Sequence, residues 1–567
     1  MKCIVKYLAA LLVAAIPLSS TAALACTGVY VGKDASDQGT IIIARSEDQA
    51  WGDVNKRYMV QERMENVPGR YLEDKETGFR LPLPETTYKY TYTPDYTQGG
   101  GMYPAACTNE YGVSVTATVS TSPSEEFAAA DPFVDAGIAE AIMAISVGAV
   151  STTAREGVDT LLGYIDTYGS SQGNTVMIND QQEAWIVEIY GGHSYCAMRM
   201  PDDAVAVFGN HNMIGLVDPA ATPEDGYIYS DGLFELLDST GLAVKEGELY
   251  HLARSVDNNQ RSDSNNMRNW VGMTLLAPSQ VGEYESGTFY PLFYQPDGKV
   301  SVLDLMELYR NRLEDTPLDV TQPGQEGNRV IGTQKSSQIH LIQTFPEWPA
   351  SCSAITWLCL GNAEHSVFIP SFSGITDTAA AYQVDGDTYD GDGAFWKCKR
   401  ICTLAEQDRA TYSQGVRDFW SQQEGLMYQE MVDAAPIMLE QYGTSRQDGE
   451  EYVTQLGKDM AERTFLYADN LYAKLLTGLI HNTGLGRDPV VFLPDAPLRH
   501  VAESRGYTVT WDQESQSVTM VKGDTSYTVT LGSDICRTGD GQEITLTHYC
   551  YTSGGITYLP MDFIQTL

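Results

Sequence analysis

The chain has 567 residues, 43% of them hydrophobic and 20% charged, a balance that excludes a disordered chain and allows more than one folded domain. Its formal net charge of −39 argues against nucleic acid or an anionic membrane surface as a partner. After the apolar start no run of about 18 apolar residues occurs, so no transmembrane anchor is expected.

In chain order, residues 1–25 read as a signal peptide. Lys2 and Lys6 give a basic start, Tyr7 to Ile16 an apolar run too short to span a bilayer comfortably, and Ala23-Leu24-Ala25 an A-x-A cleavage site. Cleavage there leaves Cys26 as the first mature residue of a secreted or cell-surface protein. Ten cysteines are encoded. Losing Cys3 leaves an odd number and so at least one unpaired thiol. If that is Cys26, then Cys107, Cys196, Cys352, Cys359, Cys398, Cys402, Cys536 and Cys550 have the makings of four disulfides, with Cys536–Cys550 the first pair expected. Buried free thiols are the alternative.

From Thr27 the pattern is a hairpin: alternating Val29 and Val31, a turn-like KDASDQG, then Ile41 to Ala44, closed by Arg45-Ser46-Glu47-Asp48. Further strands are expected at 112–119, 175–179, 184–190, 195–200 and 204–208. Helical patterns cover 134–147, 152–168, 302–313 (with Ser301 and Asp304 spaced as a capping box), 404–441 (interrupted by Pro436) and 455–480. Strands and helices are segregated, which predicts an α+β layered protein. Residues 481–490 read as a linker. Beyond it, 491–567 reads as one helix and several short strands, and resembles the N-terminal domain of copper amine oxidases in Pro497-Leu498-Arg499, in Gly506-Tyr507-x-Val509-x-Trp511-Asp512 and in Tyr558-x-Pro560. With only His500 and His548 in that module, no copper is expected. It reads as an accessory surface-interaction or packing module, with cell-wall association and homo-oligomerisation left open.

Three chemistries compete for Cys26. A lipoprotein would have Leu where Ala23 stands and a polar tether where strand-like sequence begins at Thr27. A disulfide would not explain a cysteine placed at the cleavage point. An N-terminal nucleophile would, because its own α-amine can take the thiol proton without a histidine. Such a site needs charged neighbours and oxyanion donors, and the predicted hairpin carries Arg45 and Asp48 on the arm opposite Cys26.

These residues resemble the cysteine dipeptidases of the N-terminal-nucleophile (Ntn) hydrolase superfamily, relatives of choloylglycine hydrolases and penicillin V acylases. The likeness lies in Ala25-Cys26-Thr27, Val31-Gly32-Lys33-x-Ala35-Ser36-x-x-Gly39 and Ala44-Arg45-Ser46-Glu47-Asp48, with Ser46 where the family usually has Asn. It continues through Asn109-Glu110-x-Gly112, Trp185-x-Val187-Glu188, Gly191-Gly192-His193, Pro201-Asp202-Asp203, Asn210, Met267-Arg268-x-Trp270, Leu276-Ala277-Pro278-Ser279 and Gly374-Ile375-Thr376. The resemblance implies a four-layer αββα sandwich over 26–480 and amide hydrolysis through a thioester. It implies Cys26 as nucleophile, Asp48 holding the amine, Arg45 tuning the thiolate, Asn109 and Asn210 as oxyanion and amine-binding groups, and Arg268 as a later arginine of the site. The plain alternatives are a solvated Arg45/Asp48 ion pair and turn positions for the two asparagines. His193 and His211 are expected to be structural or surface residues. No cofactor or metal is expected: HExxH, GxSxG and Walker patterns are missing, and 385-DGDTYDGDG-393 does not have EF-hand spacing. The expected substrate is a dipeptide. The alternatives are another linear amide, of bile salt or penicillin V type, or a non-catalytic surface lipoprotein.

Overall fold

The structure is a computed structural model that describes residues 26–49, 54–75, 77–97, 103–482 and 492–567, with only the backbone described for 117–119. The expected signal peptide and all but two residues of the expected linker lie outside these residues.

The hairpin forms as read: Thr27–Val31 pairs antiparallel with Ile41–Asp48, Thr27 opposite Ser46 and Gly28 opposite Arg45. It is the inner part of a six-stranded antiparallel sheet in the order 205–208, 27–31, 41–48, 336–344, 354–360, 368–372. A second, eight-stranded sheet runs 227–229, 195–199, 184–189, 173–179, 114–121, 106–109, 90–92, 59–61. The strands expected at 112–119, 175–179, 184–190, 195–200 and 204–208 are all present within a few residues.

Side-chain alternation then sorts the apolar residues. Val29, Val31, Ile42, Ala44, Val207, Ile339 and Leu341 pack with Trp270, Leu305, Phe419 and Trp420 of the helices. The opposite face of the same strands sends Cys26, Tyr30, Ile41, Ile43, Phe208 and Ile342 into a cluster with Met177, Ile186 and Cys196 of the second sheet. The far face of that second sheet packs Val115, Val176 and Val187 against Ile142, Leu161 and Ile165 of two further helices. Cys26 therefore stands in the layer between the sheets.

Several helix readings are corrected. The pattern at 134–147 yields a helix only at Glu140–Gly148, because the chain at 134–138 is instead tied to the Gly169–Ser170 backbone. The 404–441 pattern is two helices, Ala394–Gln407 and Arg409–Thr444, broken where Asp408 caps the second; Pro436 sits inside that second helix without ending it. The Ser301/Asp304 capping box is present at the head of Val302–Arg310. The C-terminal module is not a separate bead. Leu498, Val501 and Tyr558 share the apolar cluster of Phe465, Tyr467 and Leu471 on helix Arg446–Asn482, and Lys474 Nζ meets Asp495 Oδ2 at 2.7 Å. The expected disulfides are also corrected: all nine described cysteines are free, buried thiols, Cys536 and Cys550 included. Burial pushes the Cys550 thiol up to about 12.

One buried ion pair ties three elements behind the site. Arg310 Nη2 reaches Glu424 Oε1 at 2.7 Å, and the same oxygen accepts from Phe368 N at 2.8 Å. Both side chains are sealed from solvent, so removing one partner leaves a charge that water cannot reach. Arg310→Ala is expected to cost about 3–5 kcal/mol of stability, read as a lower urea midpoint. The double variant Arg310→Met/Glu424→Gln should recover most of the loss, and a single-variant loss under about 1 kcal/mol would refute the role given to the pair.

Candidate active site

Register places the site. Cys26 precedes the first strand by one residue, and its thiol is fully buried. From the neighbouring strand Arg45 Nη2 donates to Cys26 Sγ at 3.1 Å and to Glu140 Oε1 at 3.0 Å. Glu140 opens the helix Glu140–Gly148, and its Oε2 accepts from Ser120 Oγ at 2.8 Å. The Ser120 carbonyl accepts from Asn210 Nδ2 at 2.9 Å, and Asn210 Oδ1 accepts from Arg268 Nη2 at 3.0 Å. Arg268 Nη1 donates to the carbonyl of Cys26 and, at 3.2 Å, to Thr27 Oγ1. The contacts close a ring: Cys26, Arg45, Glu140, Ser120, Asn210, Arg268 and back to Cys26. Gly209 makes room for it, since a Cβ there would lie 2.7 Å from Arg268 Nη2.

The first strand is pinned on its other side. Thr27 N donates to Ser46 Oγ at 3.0 Å, and Tyr309 OH donates to the Thr27 carbonyl at 3.2 Å. The residue at 46 thus holds the backbone beside Cys26.

Electrostatics within the ring pull in opposite directions. Burial pushes the Cys26 thiol up to about 11; Arg45 draws it down, while Glu140 and Asp48 raise it. Burial also works against the charge on Arg45, but Cys26, Glu140 and Glu47 outweigh it and hold the guanidinium charged. Burial lowers Arg268 to about 9, helped by the charge of Arg329 and opposed by Asp48 and Cys26. It remains a cation at neutral pH.

The expected residues divide. Cys26, Arg45, Asn210 and Arg268 come together. Asp48 ends the second strand, close enough to act on the thiol, but its carboxylate is engaged by Arg329 and by Ser336 Oγ at 2.6 Å. Arg45 and Asp48 are thus not a solvated pair: each is buried with its own partner. Asn109 is placed elsewhere. Its Nδ2 donates to the carbonyls of Gly148 and Ser151, both at 2.7 Å, and its Oδ1 accepts from Tyr111 N and Val113 N. Asn109 ends strand Ala106–Asn109 and closes the turn after it, and the Gly148 it bonds is eight residues of about 1.5 Å each along the helix from Glu140, so Asn109 lies about 12 Å or more from the ring. The rest of its motif is structural too: Glu110 accepts from Lys89 N at 3.0 Å and pairs with Arg446 at 2.8 Å, and Gly112 sits at φ 79° facing Ser353.

His193 is exposed. His211 is buried with Nε2 2.9 Å from Asn269 Oδ1, and burial holds it well below the usual imidazole range. In 385–393, Asp390 Oδ1 accepts from Asp392 N and Gly393 N, each at 2.8 Å. Among the described residues one trio, Glu364, His365 and Glu406, has donor atoms within 4.8 Å of one another. Arg409 holds both Glu364 and Glu406, and Arg312 holds Glu364 at 3.3 Å. These guanidiniums already fill the role of a cation.

Glu140, Ser120, Arg329 and Tyr309 were not singled out from the sequence. Glu140 had one signal, an acid (with Asp135 one of two) inside an Ala/Ile-rich helical run.

Residues 25–422 match the model of peptidase family C69. The chain belongs to this family. Residues 496–567 match the copper amine oxidase N-terminal domain. The chain is 29% identical over 466 residues to "Probable dipeptidase B" of Streptococcus pyogenes serotype M1, covering 80% of this chain and 93% of the relative. It is 29% identical to "Probable dipeptidase" of Latilactobacillus sakei (70% and 84%) and 27% identical to "Probable dipeptidase B" of Lactococcus lactis subsp. lactis (80% and 95%). A solved bile acid hydrolase from Clostridium perfringens overlays at a TM-score of 0.20 with 14% identity, covering 35% of this chain and 62% of that one. An overlay so loose bears on neither fold nor substrate. As a C69 family member, the chain is a peptidase.

Glu188, in the family-like Trp185-x-Val187-Glu188 run, supports the loop that carries Asn210. It accepts from Met213 N and Ile214 N and from Tyr190 OH at 3.0 Å. Burial nevertheless pushes it up to about 7 from 4.5. A carboxyl whose folded pKa is raised contributes stability that is complete below about pH 4.5 and lost as the pH rises through about 7. Glu188→Gln, which mimics the protonated form, should flatten the fall in melting temperature across that window. A variant profile parallel to that of the wild type would contradict the assignment.

Proposed function

We propose that the protein is a secreted cysteine dipeptidase that becomes active when cleavage before Cys26 converts its backbone nitrogen into a free α-amine. The carrying observation is the Cys26 thiol at the head of a buried strand, hydrogen-bonded to Arg45 and closed into a ring by Glu140, Ser120, Asn210 and Arg268. Two sheets that share a core between them, with helices packed on both outer faces, support the αββα Ntn arrangement. The relatives named as dipeptidases support the substrate class.

The thiol proton passes to the α-amine as Sγ attacks the scissile carbonyl, and the Sγ–C bond forms. Arg45 offsets the sulfur's developing negative charge. That matters because burial alone opposes the thiolate. Asn210, placed in this ring by its bonds to Ser120 and Arg268, supplies an oxyanion donor. The ammonium then returns its proton to the leaving amine as the C–N bond breaks, giving a thioester and the free C-terminal amino acid. Water, deprotonated by the same amine, attacks the thioester, releases the N-terminal amino acid and restores the thiol. Arg268 is a positioning residue, fixing the Cys26 carbonyl and hence the direction of the amine. Asp48 is the amine's nearby carboxylate, held by Arg329.

Protein beginning at Cys26 should hydrolyse dipeptides in preference to bile salt conjugates or penicillin V. Cys26→Ser should fold normally and lose at least about 10³-fold in kcat. One Ala inserted before Cys26 keeps the thiol, removes the adjacent amine and should be comparably inactive. Full activity in either form would refute the mechanism, and an unprocessed or lipid-modified Cys26 in the secreted protein would refute the activation step.

A further inference from the structure

The ring contains a carboxylate that the chemical steps do not use. Glu140 is buried at the first turn of its helix, and each of its oxygens takes one donor: Arg45 on Oε1, Ser120 on Oε2. A carboxylate oxygen offers two acceptor sites, so both retain capacity. Oε1 lies no farther from Sγ than two contacts of 3.1 and 3.0 Å laid end to end. In a dipeptide the α-nitrogen sits about 2.5 Å from the scissile carbonyl carbon. A carbonyl placed about 3–3.5 Å from Sγ for attack, with its α-nitrogen turned toward Arg45, puts the substrate's ammonium within reach of Glu140.

We propose that Glu140 anchors the free α-ammonium group of the substrate and so restricts the enzyme to unblocked N-termini. The inference rests on the dipeptidase reading. It makes Glu140 a specificity-determining residue as well as the carboxylate that orients Arg45.

The test compares the best dipeptide of a panel with its des-amino counterpart, in which hydrogen replaces the α-amine, by mass-spectrometric release of the C-terminal amino acid. Protein processed to Cys26 should prefer the free amine by about 10⁴-fold or more in kcat/KM, the scale on which a site built to pair with a polar group rejects a ligand lacking it. Glu140→Gln should bring that preference below about tenfold, mostly through KM. If that variant fails to fold, Glu140→Asp keeps the charge and is expected to raise KM for the dipeptide more than for the des-amino compound. A variant that loses kcat on both substrates and keeps the full preference would overturn the proposal, leaving Glu140 to act through Arg45 alone. A wild type indifferent to the amine would overturn it while leaving the dipeptidase reading intact. A wild type that cleaves no dipeptide would overturn both.

Discussion

A guanidinium held between a thiol and a carboxylate, inside the dry layer between two sheets, is the constraint on which the site depends. Arg45 can occupy that layer only because Cys26 and Glu140 meet its charge there. Burial opposes the Cys26 thiolate, and Arg45 is the leading influence in its favour. Neither residue would be stable there alone, because an uncompensated charge in such a place costs several kcal/mol, on the order of what a buried pair loses when one partner is removed. The groups of the ring are therefore also structural groups, linking the first hairpin, the helix beginning at Glu140, the loop after strand 205–208 and the helix carrying Arg268.

That arrangement follows from antiparallel register. Pairing Thr27 with Ser46 and Gly28 with Arg45 sends Arg45 and Cys26 to the inter-sheet face. A slip of one residue would turn Arg45 toward the helices. Gly28 helps fix the register from the other side, since a Cβ there would meet the Phe208 ring at 2.4 Å. The early hairpin is thus held on both flanks before any substrate arrives.

How much of this was legible in the sequence depended on range. Cys26, Arg45 and the hairpin were readable because alternation and a turn set local geometry. Asn210 and Arg268 were readable only through ordered family-like motifs: the bond from Arg268 to the Cys26 carbonyl crosses 242 positions of chain, and Asn210 reaches Cys26 only through Arg268. Glu140 and Ser120 gave no local reason to pair with a residue near the start of the chain. Asn109 was misread because a side chain that closes a turn and one that stabilises an oxyanion are both simply Asn in the sequence; what separates them is that all its bonds go to Gly148, Ser151, Tyr111 and Val113. The thiols were misread for a related reason. Many cysteines in a chain expected to be secreted suggest bridges, yet the cores here are large enough to bury each described cysteine as a small apolar side chain.

The central claim is that one residue supplies both nucleophile and base, and only when it begins the chain. Intact mass spectrometry with peptide mapping, after exposure to a dipeptide-like chloromethyl ketone, tests it directly. The account predicts a single adduct on Cys26 in protein starting at that residue, forming far more slowly when one extra residue precedes it. Equal labelling of both forms, or an adduct on another cysteine, would contradict it.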